Sequence, residues 1–301
     1  MTGYQNMTTT CRQQQLVLLA VLLFFLLVAT SRAAADNSHG LLWEVSKAGV
    51  EAAYLFGTIH TEDPGVLQLA QPVQQAFAVS QAVVLELLPD VDAMRYSSAA
   101  MLMTDGRSLS AIIGQPLFRE VANAMQSRGI TAAVLDRMQP WAVAVTLSMP
   151  APETGQVLDA MLYQNALLQG KDVYGLETVQ EQLSVFAFMS VADQVTLLQK
   201  AVAGFSDIDV MHAELLAAYR RRDLSELMTI SEADMQQGDQ RLADEFRQRL
   251  LVDRNHRMAE RMEQYLQQGK AFVAVGALHL PGEDGLLNLL EQQGYTLRCL
   301  Y

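Results

Sequence analysis

Tyr54-Leu55-Phe56-Gly57-Thr58-Ile59-His60, near the start of the chain, and Val273-Ala274-Val275-Gly276-Ala277-Leu278-His279, near its end, are two copies of one pattern. In each, a short apolar run (Ala52–Phe56 and Ala271–Val275) reaches a glycine and delivers a histidine three residues later. An amphipathic stretch follows each histidine and leads to a further strand-like segment, Ala82–Leu87 in the first copy and Tyr295–Leu300 in the second. A strand–GxxH–helix–strand unit thus occurs twice. If both units join one parallel sheet, both histidines reach the same edge, where α/β proteins build their sites.

The first residues belong to a different problem. Residues 1–15 carry Arg12 and no acid, and Leu16–Ala29 is an unbroken apolar run of 14 residues. That is short for a membrane span of about 20 residues. Ala33-Ala34-Ala35 then offers a small-x-small cleavage site before Asp36. The layout is that of a secretory signal peptide over residues 1–35, and the alternative is an uncleaved anchor that keeps the protein near the membrane. The expectation is an exported, periplasmic or secreted protein.

Cleavage after Ala35 leaves 266 residues, with 19 Lys and Arg against 33 Asp and Glu, a net charge of −14. An acidic body without a Lys/Arg cluster argues against nucleic acid as a partner. Only Cys299 remains after cleavage, so neither an internal disulfide nor a cysteine-based metal site is expected. Any metal would be held by His, carboxylate and water.

Leu41–Ser46 and Ala52–Phe56, joined at Lys47-Ala48-Gly49, read as a hairpin, and Leu67–Ser80 carries a helical stripe. Helical patterning dominates from about residue 92 to 268, interrupted by a strand near 172–176 that ends in Gly175-Leu176-Glu177-Thr178. The expected fold is α/β: one domain over residues 36–301, with a central mixed sheet built from both chain ends and a large helical insertion. Methionines are frequent in that insertion and are expected chiefly to fill core gaps, with a Met-rich peptide-binding surface as the lesser alternative.

Some polar residues sit badly in this pattern. Glu86 interrupts an apolar strand, where an unpaired carboxylate costs several kcal/mol. Glu177 follows its strand as His60 and His279 follow theirs. Parallel strands place their C-terminal ends on one edge, so His60, Glu86, Glu177 and His279 are candidates to converge. Arg254, in Arg254-Asn255-His256-Arg257, is either a solvated helix start or a bidentate partner for a site carboxylate or a substrate oxyanion. His39, His212 and His256 lack supporting context and are read as surface residues.

Taken together, Leu42-Trp43-Glu44-Val45, the Gly57–His60 segment, Val84-Leu85-Glu86, Gly170-Lys171, Gly175-Leu176-Glu177-Thr178, Arg254-Asn255, and Gly276–Leu280 with Gly285-Leu286-Leu287 resemble the TraB/GumN family over nearly the whole mature chain. That family is related to the Tiki metalloproteases and, more remotely, to erythromycin-esterase and ChaN-like proteins. The resemblance implies an α/β core whose two GxxH histidines and a glutamate, here His60, His279 and Glu86, form the active centre of a divalent-metal-dependent peptidase. Met258 stands where the family often has a bulky aromatic, a change that bears on substrate preference.

Two imidazoles and a carboxylate suit Zn, Mn or Co with positions open for water and substrate. Such a metal acidifies its water and polarises a peptide carbonyl. Glu86 cannot readily be both ligand and base, which leaves Glu177 as base and Arg254 as oxyanion stabiliser. The leading expectation is an exported metal-dependent hydrolase acting on peptides or small molecules. The alternatives are a metal-free His/Glu hydrolase of the esterase type, a non-catalytic peptide- or haem-binding protein, and, last, a purely structural envelope protein.

Overall fold

The computed structural model describes residues 37–236 and 239–301. The expected leader and the anchor alternative fall on residues outside these. Among the described residues no helix is long and apolar enough to cross a membrane.

The sheet has six strands: β1 (Leu42–Ser46), β2 (Ala53–Thr58), β3 (Ala82–Leu85), β4 (Asp172–Gly175), β5 (Ala271–Gly276) and β6 (Thr296–Cys299). Their order is β4-β3-β5-β2-β1-β6. β3 pairs in parallel with β4 and β5, and β5 in parallel with β2. β1 runs antiparallel to both β2 and β6, which makes it the reversed strand of a mixed sheet. The hairpin read from the sequence is the β1–β2 pair.

The two sequence units interleave. β2 leads through α1 (Gln71–Val79) to β3, and β5 lies between those two strands. The GxxH strands are therefore neighbours, with Gly57 opposite Val275 and Thr58 opposite Gly276. β3 and β5 read as near-continuous apolar runs because central parallel strands are covered on both faces; Val83, Val84, Leu85 and Phe272–Val275 are fully buried.

Six further helices position the site. α2 (Pro140–Leu147) and α5 (Val191–Ala203) pack together in the insertion, while α3 (Leu158–Leu168) lies against β3 and β4. α4 (Val179–Ala187) starts just after β4 with a capping box, Thr178 and Glu181 exchanging hydrogen bonds. α6 (Ile208–Arg221) and α7 (Asp253–Gln268) complete the set, and α7 runs on from a π-helical turn, Gln248–Val252. The apolar face of α7, Met258, Ala259, Met262 and Leu266, joins the core around the sheet. The insertion has a second core of its own, containing Met103, Met125, Met138 and Trp141. Methionines thus fill core gaps there, although Met94 is more than half exposed and Met149 lies at the surface of a cleft.

Candidate active site

Four adjacent parallel strands, β4, β3, β5 and β2, end on one edge. Glu177, Glu86, His279 and His60 follow those ends by one to three residues. The backbone extends the pairing past the strands, with Glu177 N donating to Glu86 O at 2.8 Å, so the two glutamates emerge side by side.

Glu86 is held from several sides. Its Oε1 accepts from Gly276 N at 2.5 Å, and its Oε2 accepts from Arg254 Nη2 at 2.7 Å and from Gln182 Nε2 at 3.4 Å. Burial alone would raise its pKa, but a charged His279, the Arg254 guanidinium and the Gly276 N–H outweigh burial and lower it. Where His279 is neutral that contribution is lost, and the Arg254 guanidinium and the Gly276 N–H are left to oppose burial. A Cβ at Gly276 would lie 3.2 Å from Glu86 Oε1, close enough that the carboxylate would have to give by a few tenths of an ångström.

Glu177 has a fully buried side chain. Arg254 Nε donates to its Oε2 at 2.8 Å, and Arg257 donates to its Oε1 through Nη2 at 2.5 Å and Nε at 3.1 Å. Both of its oxygens are thus committed to guanidinium donors. Arg254 is buried rather than solvated and bridges both glutamates; burial would lower its pKa, but the two carboxylates raise it. Its role on this geometry is to hold the acids in place.

His279 is buried, and its Nδ1 lies 2.6 Å from Asn255 Oδ1. Asn255 Nδ2 donates to Asp284 O at 2.8 Å, which assigns the amide so that Oδ1 faces the imidazole. Nδ1 then carries the proton, and the Nε2 lone pair faces Glu86 Oε1 at 3.5 Å. Burial lowers the His279 pKa, with Arg254 adding to that and Glu86 opposing it, which favours the neutral ring. Two lone pairs facing at this distance suit a proton or a metal ion shared between them, and a His whose far nitrogen is pinned by an amide oxygen is a common ligand arrangement. His279 and Glu86 therefore fit as two donors to a divalent ion.

His60 stands on the neighbouring strand end and opens into a cleft of about 610 Å³. The surrounding protein desolvates the ring and lowers its pKa, although Glu62 pulls the other way. Among the described residues no group of three or more His, Cys, Asp and Glu side chains is gathered as a metal site. The geometry brings together Glu86, Glu177, Arg254 and His279, with His60 on the adjacent strand end. His39 and His256 are exposed, whereas His212 is half-buried on the wall of the same cleft as His60.

Asp159, at the start of α3, escaped the sequence reading. Thr58 Oγ1 donates to its Oδ1 at 3.0 Å. Burial, with the nearby Glu86 charge, raises its pKa to about 6 against the pull of Thr58. A carboxyl within an apolar helical run, Leu158-Asp159-Ala160-Met161-Leu162, was the available signal. Tyr219 of α6 supports the same strand end by donating to Gly57 O at 2.8 Å. Asn255 enters the sequence pattern only beside Arg254, and its orienting contact with His279 joins residues 24 apart.

An α/β protein with a buried Arg–Glu–His cluster at the ends of adjacent parallel strands is the class this geometry defines. The family model described as the TraB/PrgY/gumN family matches residues 41–298, and the chain belongs to that family. It is similar to Metalloprotease TIKI2 of Danio rerio, 27% identical over 313 residues that cover 86% of this chain and 60% of that protein. Metalloprotease TIKI1 of Danio rerio is 25% identical over 311 residues, covering 86% and 63%. An uncharacterized protein of Treponema pallidum (strain Nichols) is 24% identical over 275 residues, covering 84% and 80%. The chain thus spans about three-fifths of the length of these two TIKI proteins. No solved structure matches.

Proposed function

We propose that the chain is a metal-dependent hydrolase acting on peptides, exported as its apolar leader suggests. The observation that carries this reading is His279 Nε2 facing Glu86 Oε1 at 3.5 Å, with His60 on the neighbouring strand end opening into a cleft. The similarity to proteins named metalloproteases supports it. His279 and Glu86 would hold the ion together with water, while His60, expected from the sequence as a third ligand, stands on the adjacent strand end and is not gathered with them among the described residues. A divalent ion bound there would supply Lewis-acid polarisation of a carbonyl and a more acidic water.

The protein's own residues do the rest. Asn255 fixes the His279 tautomer, and Arg254 keeps Glu86 ionised and in place. Asp159 replaces Glu177 as the proton carrier, because it has one neutral hydroxyl partner and a pKa near 6, where Glu177 is locked between two arginines. The cleft orients the chain to be cut and limits water.

Hydrolysis of a mixed peptide library tests the proposal. The expected outcome is turnover that disappears with chelator, returns with Zn, Mn or Co, and is absent in His60→Ala and His279→Ala. Full activity in both variants and after metal removal would end it. A second reading rests on both Glu86 oxygens already accepting from Arg254 and Gly276: a proton, rather than a metal, is then shared with His279, and His60 activates water directly. Metal content of tag-free protein separates the two.

A further inference from the structure

The cleft beside His60 contains a cation that nothing above uses. Arg128 lines it together with Met101, Ile130, Val145 and Leu216, so a guanidinium faces a largely apolar space. Its Nη2 donates to Met149 O, and its guanidinium carbon lies 5.4 Å from the Phe205 ring centroid. These contacts anchor the planar group and leave further N–H donors uncommitted. Among the described residues no carboxylate is within ion-pair distance of it; Asp209 acts on it only through space.

The acids on the same cleft are committed elsewhere or lie at its margin. Glu62 accepts from the backbone N–H groups of Glu153, Thr154 and Gly155 and from the Thr154 hydroxyl. Asp63 caps the turn at Pro64–Leu67 and pairs with Arg220 at 2.6 Å, while Glu153 is exposed at the outer rim. Burial lowers the Arg128 pKa, the effect a carboxylate partner would oppose.

We infer that this cleft takes a peptide segment bearing bulky apolar side chains and a carboxylate, with Arg128 receiving the carboxylate bidentately and the apolar wall receiving the side chains. This deepens the peptidase reading by naming the class of peptide, and it rests on that reading only for the role of His60. Arg128 is thus a specificity residue. The carboxylate could be a side-chain acid or a free C-terminus, which share the same chemistry.

Equilibrium binding to the full chain in the presence of chelator decides it, since binding is read whether or not the peptide is ever cut. Three unlabelled, N-acetylated probes read by calorimetry suffice: Ala-Leu-Met-Leu-Glu-Ala amide, its Gln counterpart as the amide, and the Gln counterpart with a free C-terminus. At least one carboxylate-bearing probe is expected to bind about 10- to 100-fold more tightly than the neutral amide, the range of charge-assisted hydrogen bonds. Which probe gains identifies the source of the carboxylate. Arg128→Gln is expected to abolish the preference, and an unchanged circular-dichroism spectrum and thermal unfolding midpoint report that the variant is folded. Arg128→Lys, which keeps the charge without the fork, is expected to retain only part of the preference. Equal binding of all three probes by the unmodified protein, a preference that survives Arg128→Gln, or no binding of any probe would each overturn the inference. Loss of turnover alone would overturn the peptidase reading and leave this one standing.

Discussion

Three carboxylates near one sheet edge differ because of their partners. Glu177 is fully enclosed by Arg254 and Arg257, Glu86 is held by Arg254 and a backbone N–H, and Asp159 has a neutral hydroxyl. The surroundings of Glu86 and Asp159 drive their pKa values in opposite directions, and such a divergence marks which acid exchanges protons. Asp159 binds its proton more tightly folded than unfolded, so its contribution to stability is full below the unfolded value of 3.8 and is lost as pH rises through about 6. Asp159→Asn removes that penalty. Above pH 7 the variant is expected to be more stable than the unmodified protein by roughly 3 kcal/mol, with little difference at pH 4. Urea unfolding at the two pH values checks this, and equal gains at both would contradict the assignment. Arg254→Met leaves Glu86 without its guanidinium and strips Glu177 of one of two; the expected loss is about 3 kcal/mol. A loss under 1 kcal/mol in the same assay would show that the bridge does not hold the cluster. Glu86, Glu177, His60 and His279 were legible as strand-end residues because each breaks an apolar run. Asp159 left a weaker mark, an acid inside an apolar helical run, because acids are also common and solvated in the first turn of a helix.

At the scale of elements, β5 inserted between β2 and β3 is what makes the two GxxH segments neighbours. The repeat in sequence foretold both units but not their interleaving, which depends on pairing between segments more than 200 residues apart. α7 then delivers Arg254 and Asn255 one residue apart, the first to the glutamates and the second to His279. The cleft's loop at 153–155 is held differently, by the single carboxylate of Glu62. The Thr154 N–H is the largest influence lowering the Glu62 pKa, so the accepting carboxylate is ionised at neutral pH. Glu62→Gln is expected to speed amide exchange at Thr154 and Gly155 while leaving the midpoint of thermal unfolding nearly unchanged. Unchanged exchange at those amides would show that the loop is held by other contacts.

Over the whole molecule, the sheet and the helical insertion have separate cores, and the cleft is lined from both: His60 follows β2, while Arg128, Val145 and Met149 come from the insertion. The α/β class and the two chain-end units could be read locally because their hydrophobic periods are distinct. The second core could not, because an all-helical pattern does not say which faces meet. What joins the scales is the claim that Glu86 and His279 share a cation. Calorimetric titration of the metal-stripped full chain with Zn, Mn or Co tests it most directly. The expected result is one saturable site per chain that is lost in both His279→Gln and Glu86→Gln; no saturable binding, or binding unchanged in those two variants, would contradict it.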